Sequence, residues 1–60
     1  MTPRYDLYIR KDTRVINFWE YIDTFDYWLD AAHEAERCLE DGYKAIIENA
    51  AGNEIWRGEP

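Results

Sequence analysis

The side chains in this chain that could do chemistry are mainly carboxylates, and they are concentrated in one part of it. Eight of the thirteen Asp and Glu residues lie between positions 20 and 41, where Arg37 is the only Lys or Arg. On a helix drawn at 100° per residue, seven of these eight lie on one side. Asp23, Asp26, Asp30, Glu34 and Asp41 share one arc, and Glu36 and Glu40 lie at its margin. Carboxylates four residues apart stand about 6 Å apart along such a helix, comparable to the repeat of phosphates in a nucleic-acid strand. The pattern predicts an anionic face that attracts proteins built to bind nucleic acid.

Catalytic and metal-binding patterns are incomplete in this sequence. His33 and Glu34 begin a string similar to a zinc-protease helix, but Arg37 stands where the second His should be. Cys38 lies five residues from His33, which is the wrong helical spacing for an activating base. Neighbouring carboxylates on an exposed face lack the pocket that would separate their pKa values. We therefore expect no catalytic residue, no metal ion and no cofactor.

Charge and composition narrow the class of partner. The net charge is −6, although residues 1–15 carry four basic against two acidic side chains. A negative chain of this kind disfavours direct binding to nucleic acid, because such binding depends on Lys and Arg displacing counterions. No apolar run is long enough for a signal peptide or a membrane span, and the lone Cys38 cannot form an internal disulfide. These features predict a cytoplasmic protein with no membrane partner.

The elements that must position the carboxylates can be read from the alternation of apolar residues. Residues 4–10 alternate strictly and predict a strand, followed by a turn at 11–14 and a central strand at 15–22 that is apolar on both faces. Asp23 or Thr24 is expected to cap the helix, which Gly42 ends. Strands at 43–48 and 54–57 follow, joined by a turn at 50–53. We predict one domain over residues 1–60 with an α+β fold in the order β-β-α-β-β, its amphipathic helix packed on an antiparallel sheet.

A single helix covers only one face of such a sheet, so the other face is a second candidate site. If Leu7, Phe18 and Ile22 point toward the helix, strand alternation places the aromatic residues Tyr8, Trp19 and Tyr21 on the open face. Trp56 could join them or complete the core. An exposed aromatic patch indicates an interface, whereas aromatic rings that fold over the sheet edges would only stabilise the monomer. Both interpretations stay open from the sequence.

The acidic face also has two interpretations. It is either a solvated surface that maintains solubility or a binding surface. Almost no Glu and Lys pairs at a spacing of four residues relieve the repulsion between its carboxylates, which costs a few tenths of a kcal/mol for each pair. Because a domain of this size has little stability to spare, this uncompensated repulsion favours a binding role.

In size, acidity, aromatic content and architecture, the chain resembles the small inhibitor proteins of phages and mobile elements, including anti-CRISPR proteins and other DNA mimics. The resemblance covers the whole chain but rests on no sequence motif. It implies a non-enzymatic inhibitor whose partner is a basic nucleic-acid-binding protein or complex, such as a CRISPR surveillance complex blocked at its DNA-binding groove. The alternative is a small structural or adaptor domain that dimerises or docks a partner through the aromatic sheet face. We expect a monomer or a weak homodimer.

Overall fold

The fold is a four-stranded antiparallel sheet with one helix on one face. The computed structural model describes residues 3–11 and 18–60 of the chain. In this part of the chain the elements are β1 (Tyr5–Arg10), β2 (Glu20–Phe25), α1 (Trp28–Glu40), β3 (Lys44–Glu48) and β4 (Glu54–Gly58). The strands lie in the order β2-β1-β3-β4. The predicted α+β class and the β-β-α-β-β order are confirmed.

The core lies between the helix and the two central strands. Leu7 of β1 and Ile47 of β3 are register partners, and both side chains are fully buried. The helix covers them with small side chains, because Ala31 and Ala35 are fully buried as well. Small residues allow the helix axis to approach the sheet closely, so that a short chain reaches the close packing of a protein interior. The larger side chains packed around this centre are Tyr5, Phe25, Leu39, Tyr43 and Trp56.

The predicted second strand differs from the observed one in both position and role. It was expected over residues 15–22 as a central strand, but β2 begins at Glu20 and forms an edge of the sheet. Phe18 and Trp19 precede it, and Phe18 is exposed rather than turned toward the helix. Among the described apolar residues of this segment, Phe18, Tyr21 and Ile22 are exposed and Trp19 is half-buried, so this part is not buried on both sides. Residues 15–17, and the predicted turn beyond Lys11, lie outside the described residues.

Each edge strand carries an irregularity in its pairing. On β2, Leu7 pairs with Asp23 and Tyr8 with Tyr21, which leaves Ile22 without a partner on β1. On β4, the register shifts in the same way around Ile55, which lies between Glu54 and Trp56. A bulge of this kind breaks the hydrogen-bonding ladder and brings residues three apart to the same face of the strand.

The start of the helix is a second difference from the sequence prediction. β2 continues to Phe25, and α1 begins at Trp28 after an extended N-cap residue, Tyr27, whose side chain makes no capping hydrogen bond. Asp23 and Thr24 therefore do not cap the helix. Thr24 instead donates its hydroxyl hydrogen bond to Asp6 of β1, a contact across the sheet that local sequence reasoning had not included.

The end of the helix and the last turn agree with the sequence prediction. Gly42 adopts a φ of 93°, its N–H donates to the Leu39 carbonyl, and the Tyr43 N–H donates to the Cys38 carbonyl. This pair of bonds satisfies carbonyls that a helix end otherwise leaves open. In the turn between β3 and β4, the side-chain oxygen of Asn49 accepts from the N–H groups of Ala51 and Asn53.

Replacing Leu7 with Ala should lower the free energy of unfolding by about 2–5 kcal/mol, because it removes a fully buried side chain and leaves a cavity. In a domain of this size such a loss leaves much of the chain unfolded at room temperature. Urea denaturation followed by Trp fluorescence measures the effect. Leu29→Ala is the matched control, since Leu29 is 66% exposed, and an equal loss in both variants would contradict the assigned core.

Candidate partner-binding surfaces

The seven acidic residues predicted to share one helical arc are divided among three parts of the fold. Asp23 lies on β2, Asp26 in the connection before the helix, and Asp41 is the C-cap residue. The remaining four lie on α1 itself, namely Asp30, Glu34, Glu36 and Glu40. The prediction of one continuous helical arc is wrong, because the strand runs three residues further than the sequence pattern indicated.

On the helix, the buried residues fix which carboxylates face outward. Burial of Ala31, Ala35 and Cys38 orients α1, and at 100° per residue this places Asp30 on one flank and Glu40 toward solvent. The helical projection of the sequence predicts a different apolar stripe, opposite the acidic arc, made of Trp28, Ala32, Ala35 and Leu39. Of these, Ala35 is buried, Ala32 and Leu39 are half-buried and Trp28 is exposed, so the observed stripe is rotated from the predicted one.

Most of these carboxylates are not neutralised by a neighbouring cation. Glu34 accepts a hydrogen bond from Arg37 over 3.2 Å, an exposed pair of small energetic value. Within residues 3–11 and 18–60, no ion pair involves any of the exposed members of the set, which are Asp23, Asp26, Asp30, Glu36, Glu40 and Asp41. The negative charge of these six carboxylates is therefore uncompensated within the described residues.

Residues 18–30 form a strip that is both acidic and apolar, and all of them except Trp19, Thr24 and Phe25 are exposed. The segment contains four acidic residues and no Lys, Arg or His. It also holds most of the large apolar side chains that are exposed in the described chain, namely Phe18, Tyr21, Ile22, Tyr27, Trp28 and Leu29. Sequence reasoning assigned several of these to the core or to a helix face. The sequence feature that could have indicated their exposure is the run of apolar residues on both faces of the predicted strand. Such a run is compatible with an exposed edge strand as well as with a buried strand.

On the sheet face away from the helix, Tyr8 and Tyr21 are register partners. Their ring centroids lie 5.7 Å apart in an edge-to-face arrangement, a geometry that aromatic pairs favour. Tyr21 is exposed and Tyr8 is half-buried. Trp56 faces the helix instead, where its ring lies against Gly58 at a position that a side chain would occupy.

Trp19 covers the same open face near the other edge of the sheet. Its ring lies 5.3 Å from the Arg10 guanidinium of β1 and 5.6 Å from that of Arg57 on β4. β3 runs between these two strands, and its open-face residue Ile46 is only 6% exposed. Because guanidinium groups over an indole ring are attracted to its π electrons, the two arginines hold Trp19 across the sheet. The open face is therefore partly closed by the chain itself.

A buried carboxylate beside the tyrosine pair was missed by the sequence analysis. Asp6 is 7% exposed and accepts hydrogen bonds from Thr24 Oγ1 at 2.6 Å and Arg4 Nε at 3.0 Å. Thr24 Oγ1 also lies 2.6 Å from the Tyr21 hydroxyl, which must be the donor because the Thr24 proton points at Asp6. The bulge at Ile22 makes this possible, since it turns Tyr21 and Thr24 to one face.

The protonation of Asp6 is set by opposing effects. Burial raises the pKa of the carboxyl, but the hydrogen bonds from Thr24 and Arg4 and the charge of Arg4 outweigh it and hold the pKa below its ordinary value of 3.8. Asp6 therefore remains a carboxylate near neutral pH. It ties β1 to the edge strand β2, so the network is structural.

Cys38 and His33 are the other residues that the sequence pattern brought into question. Burial raises the pKa of the Cys38 thiol, and the nearby carboxylates of Glu34 and Asp41 raise it further, so the sulfur stays protonated. His33 is exposed on the helix. Across the described residues, no three His, Cys, Asp or Glu side chains are grouped to hold a metal ion. Nor does the described chain contain a helix long and apolar enough to cross a membrane.

Comparison with protein-family models, curated proteins and solved structures gave no match.

Replacing Thr24 with Val should lower the free energy of unfolding at neutral pH by about 1.5–3 kcal/mol, because a buried carboxylate loses a hydrogen bond. In the wild-type protein the Asp6 contribution is fully present above pH 3.8 and is lost as the pH falls through the lower pKa of the folded state. The substitution raises that folded-state pKa, so the variant should lose less stability on acidification. Urea denaturation at a series of acidic pH values measures both effects.

Thr24→Ser is the matched control, because it keeps the hydroxyl that donates to Asp6. It should retain the acid dependence of the wild-type protein. Identical acid profiles for the wild type and Thr24→Val would show that this hydrogen bond does not set the protonation of Asp6.

Proposed function

We propose that the chain is a non-enzymatic inhibitor that binds a basic nucleic-acid-binding site on a protein partner and excludes nucleic acid from it. One observation carries this proposal. The exposed carboxylates of β2, the connection and α1 have no ion-pair partner in the described part of the chain. In the folded chain this negative charge is exposed and uncompensated, although repulsion between like charges disfavours a compact state in a chain with a net charge of −6.

Electrostatics supports a basic protein partner over other classes of ligand. A surface of this sign repels phosphates and attracts surfaces rich in Lys and Arg. Complementary charge accelerates encounter and makes the association weaken as salt is added. The basic residues do not reverse this argument, because Arg4, Arg37 and Arg57 each bind a carboxylate of the chain itself.

The resemblance to anti-CRISPR proteins and other DNA mimics supplies the class of target. The partner proposed is a bacterial surveillance complex of the CRISPR type, with the inhibitor occupying its DNA-binding groove. Such a complex acts in the cytoplasm, where the lone Cys38 also predicts the chain to be. The mimicry differs from the sequence expectation in one respect: the carboxylates form a surface shared by a strand, a connection and a helix, not a ladder along one helix.

A second candidate function is docking or dimerisation through the open sheet face. The observation that favours it is Tyr21, which is exposed beside Tyr8 on that face. Trp19 contributes less than the sequence suggested, because its side chain is half-buried and the Arg10 and Arg57 guanidinium groups lie over its ring. Binding through this face would depend on Tyr21 and would be insensitive to salt.

Changing Asp26 and Asp30 to Asn and Glu40 to Gln together should weaken inhibition by about tenfold or more, because three charges that face the partner are removed. Glu34 is left unchanged since it already binds Arg37. The measurement is fluorescence anisotropy of labelled target DNA bound to a purified Cascade-type complex, with inhibitor added at low and at high salt.

The matched control makes the same change of net charge elsewhere. Replacing the exposed turn residues Ala50, Ala51 and Asn53 between β3 and β4 with Lys also takes the net charge from −6 to −3, and it removes none of the ion pairs of the described chain. The control should inhibit nearly as well as the wild type. Equal loss in both variants, or no inhibition by the wild-type chain, would contradict the proposal.

A further inference from the structure

β2 has one edge that pairs with no other strand in the described part of the chain. It is the first strand in the order β2-β1-β3-β4, so its backbone meets β1 on one side only. Unpaired N–H and C=O groups along such an edge form a template on which another extended chain can be added. Proteins that recognise peptides by strand addition use this property, with neighbouring side chains providing the specificity.

The side chains around this edge do not protect it in the usual way. Edge strands commonly carry Lys or Pro, which oppose pairing with another chain. β2 has neither, and its charged residues are Glu20 and Asp23. On the opposite edge strand, β4, Arg57 is held by Glu54 through bonds of 2.7 and 3.1 Å. β2 also contains a bulge at Ile22, and its two carboxylates oppose pairing with an acidic strand but attract a basic one.

The strip over residues 18–30 extends beyond the end of β2 into the start of α1, and it holds both apolar and acidic residues there. Tyr27 and Leu29 are exposed at the start of the helix, next to the carboxylates of Asp26 and Asp30. The edge therefore combines three kinds of contact: backbone groups, apolar side chains and uncompensated negative charge.

We propose that the free edge of β2 and the first turn of α1 dock an extended segment of the partner in which basic and apolar residues alternate. This inference rests on the proposed function, because it places the contact with the basic partner at this edge. A strand pairing along the six residues of β2 would span about 20 Å, given 3.4 Å per residue. Lys or Arg on that segment would meet Glu20 and Asp23, while its apolar residues would cover Ile22 and Tyr21.

Charge complementarity selects a basic segment over a second copy of this chain. Pairing of two copies through β2 would bring the four carboxylates of one strip toward the four of the other, with no Lys or Arg in either strip. Like charges placed opposite each other in a sheet are destabilising. A basic segment instead neutralises the strip on binding.

The test uses a synthetic peptide of alternating Lys and Val, with blocked ends, added to the full chain labelled with ¹⁵N. Saturable chemical-shift changes confined to residues 18–30 are expected in low salt. Two N-methylated versions of the peptide, one methylated at every Val and one at every Lys, keep the charge but each lose the N–H donors of one strand edge. If strands pair, the version methylated on the edge that faces β2 should bind about tenfold more weakly than the unmodified peptide. Binding of both methylated peptides equal to that of the unmodified one would overturn strand addition.

The chain offers a closely matched pair of variants for this experiment. Ile22 on β2 and Ile55 on β4 lie at the irregularities of the two edge strands and are 38% and 45% exposed. Ile22→Lys places a like charge against the basic peptide and should weaken binding by about tenfold, whereas Ile55→Lys should not. Tyr27→Lys, at an exposed residue outside the strands, is the second variant should Ile22→Lys fail to fold.

The other outcomes separate this inference from the proposed function. Shift changes centred on Glu36, Glu40 and Asp41 would overturn the docking edge while leaving an acidic inhibitor intact. A concentration-dependent dimer of the free chain that Ile22→Lys abolishes would show that the edge binds a second copy, and would overturn the inference. Absence of peptide binding in low salt would overturn it too, and the DNA-displacement assay would then decide the proposed function independently.

Discussion

The contact between the helix and the two central strands is the interaction on which the rest of the structure depends. Ala31 and Ala35 of α1 meet Leu7 and Ile47, and all four are fully buried. Because the helical residues are small, the backbone of α1 lies close to the sheet and covers β1 and β3. The chain has only one helix in its described part, so all of this burial occurs on one face. The other face and both sheet edges must be stabilised by other interactions.

The open face is stabilised by contacts that combine polar and aromatic groups. At one end, the guanidinium groups of Arg10 and Arg57 lie over the Trp19 ring, and Ile46 on the same face is buried. At the other, Asp6 is buried with hydrogen bonds that connect β1 to β2. A buried carboxylate is stable only when its hydrogen-bonding capacity is met, so this network also fixes the pairing of the edge strand. The aromatic face is therefore partly a structural layer, and the acidic strip beside it is the more available surface.

The acidic residues of β2 and those at the start of α1 are close along the chain, because the chain passes directly from β2 into α1. Only Asp26 and Tyr27 separate the two elements. Exposed carboxylates and exposed apolar groups consequently alternate along a short stretch of chain. Long-range charge would guide a basic partner to this surface, while the apolar side chains and backbone groups would provide contacts that hold it. The two proposals therefore concern successive steps of one association, encounter and docking.

The sequence by itself determined the α+β class, the element order, the strand at β1, the helix end at Gly42 and the turn before β4. These features depend on local physics: alternation along a strand, the left-handed conformation of glycine and the hydrogen bonds of Asn49. Tertiary structure decided the end of β2, the start of α1 and hence the division of the carboxylates. Thr24 is a good helix cap locally, but its hydroxyl bonds Asp6 across the sheet, a partner eighteen residues away. Strand order and the exposure of Phe18 and Ile22 depend equally on long-range pairing, which no local pattern contains.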